Sequence, residues 1–298
     1  MQAMSWEFRS WEFQFLWSIG LYEGESPFSL RPSPAVTNPI LTASSVTDVA
    51  PGFVADPFHL RVDDTFHLFF EVWNETERRG EIAHATSADA RVWTYDAVVL
   101  NERFHLSYPW VARVGDDIYM VPETRQVQAI RLYRAESFPH RWTFVRELVK
   151  GDFADATPFP HDGRWWMFAH RGLDELRLYS AAALDGPWSE HPASPVVAGN
   201  RSLSRPAGRV LAHDGRLVRF AQDGWPQYGT CVRALAIDVL TADDYREHEL
   251  PESPIIGATG TGWSSVGMHH VDFIRDGDGW LAIVDGYTPG GIALVTHA

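Results

Sequence analysis

The sequence predicts an all-β fold: a five-bladed β-propeller with four-stranded blades, its ring closed by an N-terminal strand that completes the last blade. Three observations carry this reading. One hairpin returns five times at a period of about fifty residues, the mark of a repeat architecture. A tryptophan recurs before the last strand of three repeats. The chain also ends on a strand with no outer neighbour, while a strand phrase near its start belongs to no repeat.

The first hairpin runs from Phe53 to Glu71, two runs of alternating apolar residues split by the turn formers Asp63-Asp64. The copies turn at Gly115-Asp116, Asp162-Gly163, Asp214-Gly215 and Gly277-Asp278. A third strand follows at Glu81 to Thr86, Ile130 to Ala135 and Leu176 to Ala181. Trp93, Trp142 and Trp188 then mark the turn into an outer strand, which makes each repeat a four-stranded blade. Two outer strands end in Ser194-Pro195-Val196-Val197 and Ser253-Pro254-Ile255-Ile256, and a similar phrase stands alone at Asn38-Pro39-Ile40-Leu41. That phrase is expected beside Gly291 to Thr296, read as a third strand lacking its fourth; the pairing closes the ring and hides two sheet edges. Helical periodicity is weak, and the strongest candidate, Thr241 to Glu247, amounts to one capped turn.

A uniform repeat makes 1–298 a single expected domain. Hydrophobic residues at 45% and charged ones at 21% describe an ordinary globular chain. A net charge of −14 without a long Lys/Arg cluster disfavours nucleic acid and other polyanions as partners. The single cysteine, Cys231, excludes an internal disulfide and, in its apolar stretch, reads as a buried, inert thiol. Glu7, Arg9 and Glu12 interrupt the aromatic N-terminus between Met1 and Trp17, which therefore reads as neither signal peptide nor membrane span. A cytoplasmic location is the default expectation, and no protein partner is legible.

Counting from the turns locates the chemistry. Seven residues before the turn references stand Asp56, Tyr108, Asp155, Ala207 and His270; eight after them stand Glu71, Glu123, His170, Gln222 and Asp285. Antiparallel pairing sets the two series opposite each other at the open end of each hairpin, and the inner strands of a propeller bring those ends to one mouth. Nine of the ten residues are polar or ionisable. Wet strand ends explain part of this, but not a polar residue set among apolar neighbours, as in Val54-Ala55-Asp56; a shared funnel explains both. Carboxylates brought together from different blades raise one another's proton affinity, the usual route to an acid and a base at neutral pH. Asp56, Glu123 and Asp155 are the catalytic candidates. Arg205 is placed to bind an anionic or hydroxyl-rich ligand, while Gln222, Asp223 and Tyr228 add hydrogen-bonding groups and Trp225 an aromatic platform. His269-His270 with Asp272 admits a single funnel-bound cation near His270. No second element has recognisable ligand spacing, and a histidine hydrogen-bonded beside Asp285 is the alternative. No other cofactor or metal is expected.

Ala55-Asp56-Pro57 on the first inner strand of a five-bladed propeller resembles the furanosidase clan of glycoside hydrolases, which includes families 32, 43 and 62. A longer series of motifs covers nearly the whole chain: Val54 to Phe58, His105 to Pro109, Pro122-Glu123, Ser204 to Gly208, Ala221 to Asp223 with Tyr228-Gly229, and His269 to Asp272. In that order they resemble the propeller domain at the N-terminus of glucosamine inositolphosphorylceramide transferases and beside some bacterial formyltransferases. The furanosidase resemblance implies Asp56 as base or nucleophile, an aspartate in the second blade and a glutamate acid in a later one. This sequence holds Tyr108 and Asp155 at the second and third positions, which leaves Glu123 as the carboxylate placed to act as acid. The Tyr108/Glu123 pair is also similar to the tyrosine nucleophile of sialidases. The leading expectation is a glycoside-hydrolase-like, carbohydrate-active enzyme acting on a glycoside or sugar derivative, with Asp155 orienting substrate or tuning pKa. Two alternatives stand beside it: a recognition module for a sugar or sugar nucleotide that serves a separate transferase, and a non-hydrolytic tailoring enzyme. Fold does not separate them, because function belongs to the site.

Overall fold

The computed structural model describes residues 8–297, with side chains from 15 to 290; the reading of Met1 to Glu7 lies outside the described residues. Five antiparallel sheets form the five blades. From the axis outward, blade 1 is Pro51–Val62, Thr65–Asn74, Arg79–Ser87 and Thr94–Leu100, and blade 2 is Ser107–Val114, Asp117–Glu123, Ala129–Ser137 and Arg141–Lys150. Blade 3 is Phe153–His161, Arg164–Arg171, Glu175–Ala181 and Ser189–Glu190. Blade 4 has a broken inner strand, Arg205–Pro206 and Leu211–His213, followed by Arg216–Gln222, Cys231–Leu240 and Tyr245–Glu249. Tyr245 to Glu247, counted in the sequence as part of a helical turn, thus belongs to an outer strand, and only Thr241 to Asp244 keep the capped turn, with Thr241 Oγ1 accepting two backbone N–H groups. Among the described residues helix is confined to the short 3-10 turns Ala43–Ser45, Arg125–Val127 and Gly262–Ser264, and no helix is long and apolar enough to cross a membrane.

Each hairpin closes in two residues. Val62 pairs with Thr65, Val114 with Asp117, His161 with Arg164, His213 with Arg216 and Asp276 with Gly279. Asp63, Gly115, Asp162, Asp214 and Gly277 all take φ between 48° and 63°, the left-handed backbone that a two-residue hairpin demands and that Asp and Gly adopt most readily. The three tryptophans also do one job. The indole N–H of Trp93 donates to Ala90 O, that of Trp142 to Pro139 O and that of Trp188 to Leu184 O, each pinning the turn before the outer strand.

Blade 5 is completed by the N-terminal segment as expected, but through other residues than Asn38 to Leu41. Its inner strand, Val271–Asp276, is followed by Gly279–His297, and the N-terminal segment then supplies both remaining strands, Phe8–Gly24 and Arg31–Pro32. Gly291 to Thr296 continue the second strand rather than forming a third, and the stretch pairs with Arg9 to Phe13. Asn38-Pro39-Ile40-Leu41 lies instead against Ile19, with Ile19 N–H donating to Leu41 O at 2.9 Å. The phrase plays the role of its two relatives, since Val197 bridges Leu176 and Ile256 pairs with Val232, each on the third strand of its blade.

Both faces of a blade are covered by neighbours, so the cores are layers between blades. Phe58, Phe69 and Ile82 of blade 1 pack on Val111, Met120 and Leu132 of blade 2. Val54, Leu68 and Phe70 meet Ile19, Leu21 and Ile283 of blade 5. That is why consecutive residues Leu68, Phe69 and Phe70 are all buried in one strand. Each such side chain contributes about 1.5–3 kcal/mol by leaving water.

Candidate functional site

The residues counted from the turns meet at one end of the axis, but not as cross-strand partners. Glu71 pairs with Ala55, Glu123 with Ser107 and His170 with Ala154. The register then slips, and at the slip Asp56, Tyr108 and Asp155 take φ of 54°, 45° and 50°. One β-bulge is thus repeated in three blades. Left-handed backbone suits aspartate and is an outlier for tyrosine; it costs on the order of 1–3 kcal/mol per residue and concentrates at functional sites. In blade 4 Gly208 stands nearby at φ 128°, where a Cβ would lie 2.0 Å from Val271 O, so only glycine lets blades 4 and 5 approach.

Each bulged residue reaches into a neighbouring blade. Asp56 N–H donates to Asp285 Oδ2 at 3.0 Å, and Asp56 Oδ2 accepts the N–H of Tyr108 at 3.2 Å. Asp155 accepts Arg205 Nε at 2.5 Å and Gln222 Nε2 at 2.8 Å. Arg205 also lies 3.6 Å from Glu123 Oε2 and 5.1 Å from the centre of the Tyr228 ring. Asp285 accepts the backbone N–H groups of His269 and His270 and bonds His269 Nδ1 at 2.8 Å. The Asp56, Glu123 and Arg205 side chains keep 9%, 10% and 25% of their surface open, whereas Asp285 and His270 keep none, so the first three are the ones open to the mouth.

These contacts divide the proton affinities. Burial raises Asp56 to about 7, with Asp285 and Asp155 adding to the rise and His269 and Arg205 opposing it. Burial likewise raises Glu123 to about 8, reinforced by Asp155 and partly offset by Arg205. Glu71 is held well above the ordinary carboxylate range by burial and by the surrounding carboxylates, Asp56 foremost. Asp155 goes the other way: burial acts upward, but Arg205 outweighs it and holds the carboxyl below its ordinary value. Burial pushes His270 down to about 4 and lowers His170 as well, while Asp285 overcomes burial at His269 and raises it.

Several buried polar atoms here make no hydrogen bond: Glu123 Oε2, Gln222 Oε1 and both ring nitrogens of His270. Buried polar groups are normally paired, so these are the atoms a ligand, water or ion would complete. Asp56, His269 and Asp285 offer one ligand atom each within 4.8 Å of one another, the set that could hold the cation expected near His270. A cavity of about 110 Å³ opens at the mouth, lined by Arg125, His170, Arg201, Arg205, Gln222 and Tyr228. A larger one of about 560 Å³ lies by Glu23, Arg31 and Trp280 and contains none of the converging residues.

Three residues counted as ligand-binding are engaged inside the protein. The Tyr108 ring is fully buried; its hydroxyl accepts Gly208 N–H at 2.8 Å and bonds Thr157 Oγ1 at 2.9 Å, which removes it as an exposed nucleophile. Asp223 is held within blade 4, accepting Arg233 Nε of the third strand at 2.9 Å and Trp225 N–H of its own loop at 2.9 Å. Asp285 is the third. Trp225 itself is 62% exposed and lines no part of the mouth cavity. Two residues were not foreseen. Trp17, from the N-terminal strand, stacks on His269 with ring centres 4.0 Å apart. Arg209 spans the axis, donating to Asp272 Oδ1 at 2.9 Å, Val111 O at 2.6 Å and His59 O at 2.7 Å. Asp272 also accepts His59 N–H at 2.7 Å, and Arg209 and His59 hold it at about 2 despite burial.

The family described as glucosamine inositolphosphorylceramide transferase 1, N-terminal, matches residues 12–287. The chain belongs to this family. Glucosamine inositolphosphorylceramide transferase 1 of Arabidopsis thaliana is 34% identical over 295 residues, 91% of this chain and 39% of that protein. The protein of the same name from Oryza sativa subsp. indica is 37% identical over 298 residues, again 91% of this chain and 40% of that protein. The chain therefore spans about two fifths of the length of these relatives. Among solved structures, the catalytic domain of a family 62 α-L-arabinofuranosidase from Coprinopsis cinerea superposes with a TM-score of 0.58 at 13% identity, over 91% of this chain and 97% of that one. A family 43 α-L-arabinofuranosidase from Clostridium thermocellum gives 0.55 at 14%, over 76% and 80%. At such identities the likeness establishes the shared propeller fold alone.

Proposed function

We propose that the funnel binds a glycoside or sugar derivative and performs acid/base chemistry on it, with Glu123 as the acid, Asp56 as base or nucleophile, and Asp155 orienting the ligand. One observation carries this reading. Buried carboxyls from three blades converge around Arg205, which lies 2.5 Å from Asp155 and 3.6 Å from Glu123, in surroundings that push their proton affinities apart: burial raises Glu123 to about 8 and Asp56 to about 7, while Arg205 holds Asp155 below its ordinary value. General acid and base catalysis needs such a pair near the working pH. The relatives, glucosamine inositolphosphorylceramide transferases, and the two arabinofuranosidases that share the fold support a carbohydrate ligand.

A second reading is favoured by the matched fraction of the relatives, 39–40% of their length. The propeller would then hold a sugar or sugar nucleotide for a transferase centre elsewhere. Asp56→Asn separates the two, assayed on a panel of furanosides, pyranosides and sugar nucleotides. On the catalytic reading turnover falls about a hundredfold or more while affinity changes far less. On the recognition reading no turnover exists to lose, and affinity falls by the worth of one hydrogen bond to a charged group, about 1.5–3 kcal/mol. Full turnover in Asp56→Asn would remove Asp56 from the chemistry.

A further inference from the structure

A second cluster lies far from the funnel, at the outer seam of blades 1 and 2. His84 stands on the third strand of blade 1, Asp96 on its outer strand, and His140 in the turn before the outer strand of blade 2. Asp96 Oδ2 lies 2.8 Å from His84 Nδ1 and 2.7 Å from His140 Nε2. Ligand atoms from all three side chains fall within 4.8 Å of one another. We propose that His84, Asp96 and His140 form a binding site for a divalent transition-metal ion, zinc by the chemistry of its donors, that ties blade 1 to blade 2.

Two imidazoles and one carboxylate oxygen are a borderline donor set, of the kind that zinc accepts with a fourth position left to water. The surroundings match. His84 is wholly buried, and its other ring nitrogen, Nε2, lies 3.0 Å from His67 Nδ1. With a metal on Nδ1, His84 carries its proton on Nε2 and donates it to His67, the supporting contact that orients a metal-bound histidine. Phe69 and Phe138 back the two histidines, with ring centres 4.9 Å from His84 and 4.6 Å from His67 respectively. On the open side the Asp96 and His140 side chains are 36% and 56% exposed, which leaves a path for the ion and room for water. Arg and Lys are absent from the ion pairs of these three residues among the described residues, so no cation of the protein occupies the position.

The test uses the full chain without a histidine tag, stripped by chelator and titrated with cobalt(II), whose visible absorption reports tetrahedral nitrogen and oxygen ligation, then with competing zinc. The expected result is one cobalt-binding step of one ion per chain that is lost in Asp96→Asn, is displaced by zinc, and comes with a zinc-dependent rise in melting temperature. Asp96→Asn and His140→Ala, both at exposed positions, should bind at least about tenfold more weakly and lose that rise, and His67→Ala should weaken binding by about 10–100-fold. Absence of stoichiometric binding in the unmodified chain, or equal affinity in all variants, would mean that the cluster is held by hydrogen bonds alone.

Discussion

Replacing Glu123 by glutamine should flatten the pH dependence of stability. Glu123 has an ordinary value of 4.5 and is raised to about 8 in the folded protein, chiefly by burial. A carboxyl that holds its proton more tightly when folded than when unfolded destabilises the fold as it ionises, so stability falls as pH rises from the unfolded value through the folded one. At about 1.36 kcal/mol per pH unit the gap amounts to at most about 5 kcal/mol, lost progressively between about pH 4.5 and 8. Histidines that titrate in the same window remain in both proteins, so the difference between the two curves isolates the carboxyl and its neighbours. Urea unfolding at pH 5, 7 and 9 should show Glu123→Gln gaining on the parent protein by several kcal/mol across that range. The absolute level also contains the lost contact with Arg205, which is why the slope is the diagnostic quantity. Parallel curves would refute the raised proton affinity, and with it the assignment of Glu123 as the acid.

Other substitutions test the supports of the site. Tyr108→Phe leaves the N–H of Gly208 without its acceptor in a buried position; thermal and urea unfolding should show a loss of about 1–3 kcal/mol, with ligand affinity retained. Lost affinity at unchanged stability would put the tyrosine back in the ligand's path. Arg209→Met strips a buried carboxylate, Asp272, of its arginine partner while leaving it His59, and should cost up to about 3–5 kcal/mol. The double variant Arg209→Met with Asp272→Asn should recover much of that loss, and failure to recover would show that Arg209 acts through its two carbonyl contacts instead.

The parts of the fold legible in the sequence were those set by local chemistry. Asp63, Gly115, Asp162, Asp214 and Gly277 announce two-residue turns because few other residues accept their φ, and counting from them reached the same end of every hairpin. What local chemistry does not encode was misplaced. The bulges at Asp56, Tyr108 and Asp155 shift the register by a backbone conformation that leaves no mark on composition, so residues counted as facing pairs are offset. Tyr108 looked like a ligand contact because its polar end is visible in sequence, while its acceptor role toward Gly208, 100 residues away, is not. Arg209 sits one residue past a motif that was read, but its partners at His59, Val111 and Asp272 come from three other blades. The phrase at Asn38 to Leu41 identified its own role by likeness to Ser194 to Val197. Its partner strand depended on how far Phe8–Gly24 runs beside Gly279–His297, a length no turn signal marks.

A crystal structure with a bound ligand tests the central claim most directly, using the sugar or sugar nucleotide that raises the melting temperature most in the panel. The account predicts ligand density at the mouth between Arg205, His170 and Tyr228, with a reacting oxygen within hydrogen-bonding distance of Glu123 and Asp56. The separation of those two carboxyls across the ligand would then distinguish retaining from inverting geometry, about 5–5.5 Å against about 6.5–9.5 Å. Ligand density confined to the cavity beside Glu23 and Trp280, with the funnel residues unchanged, would contradict it.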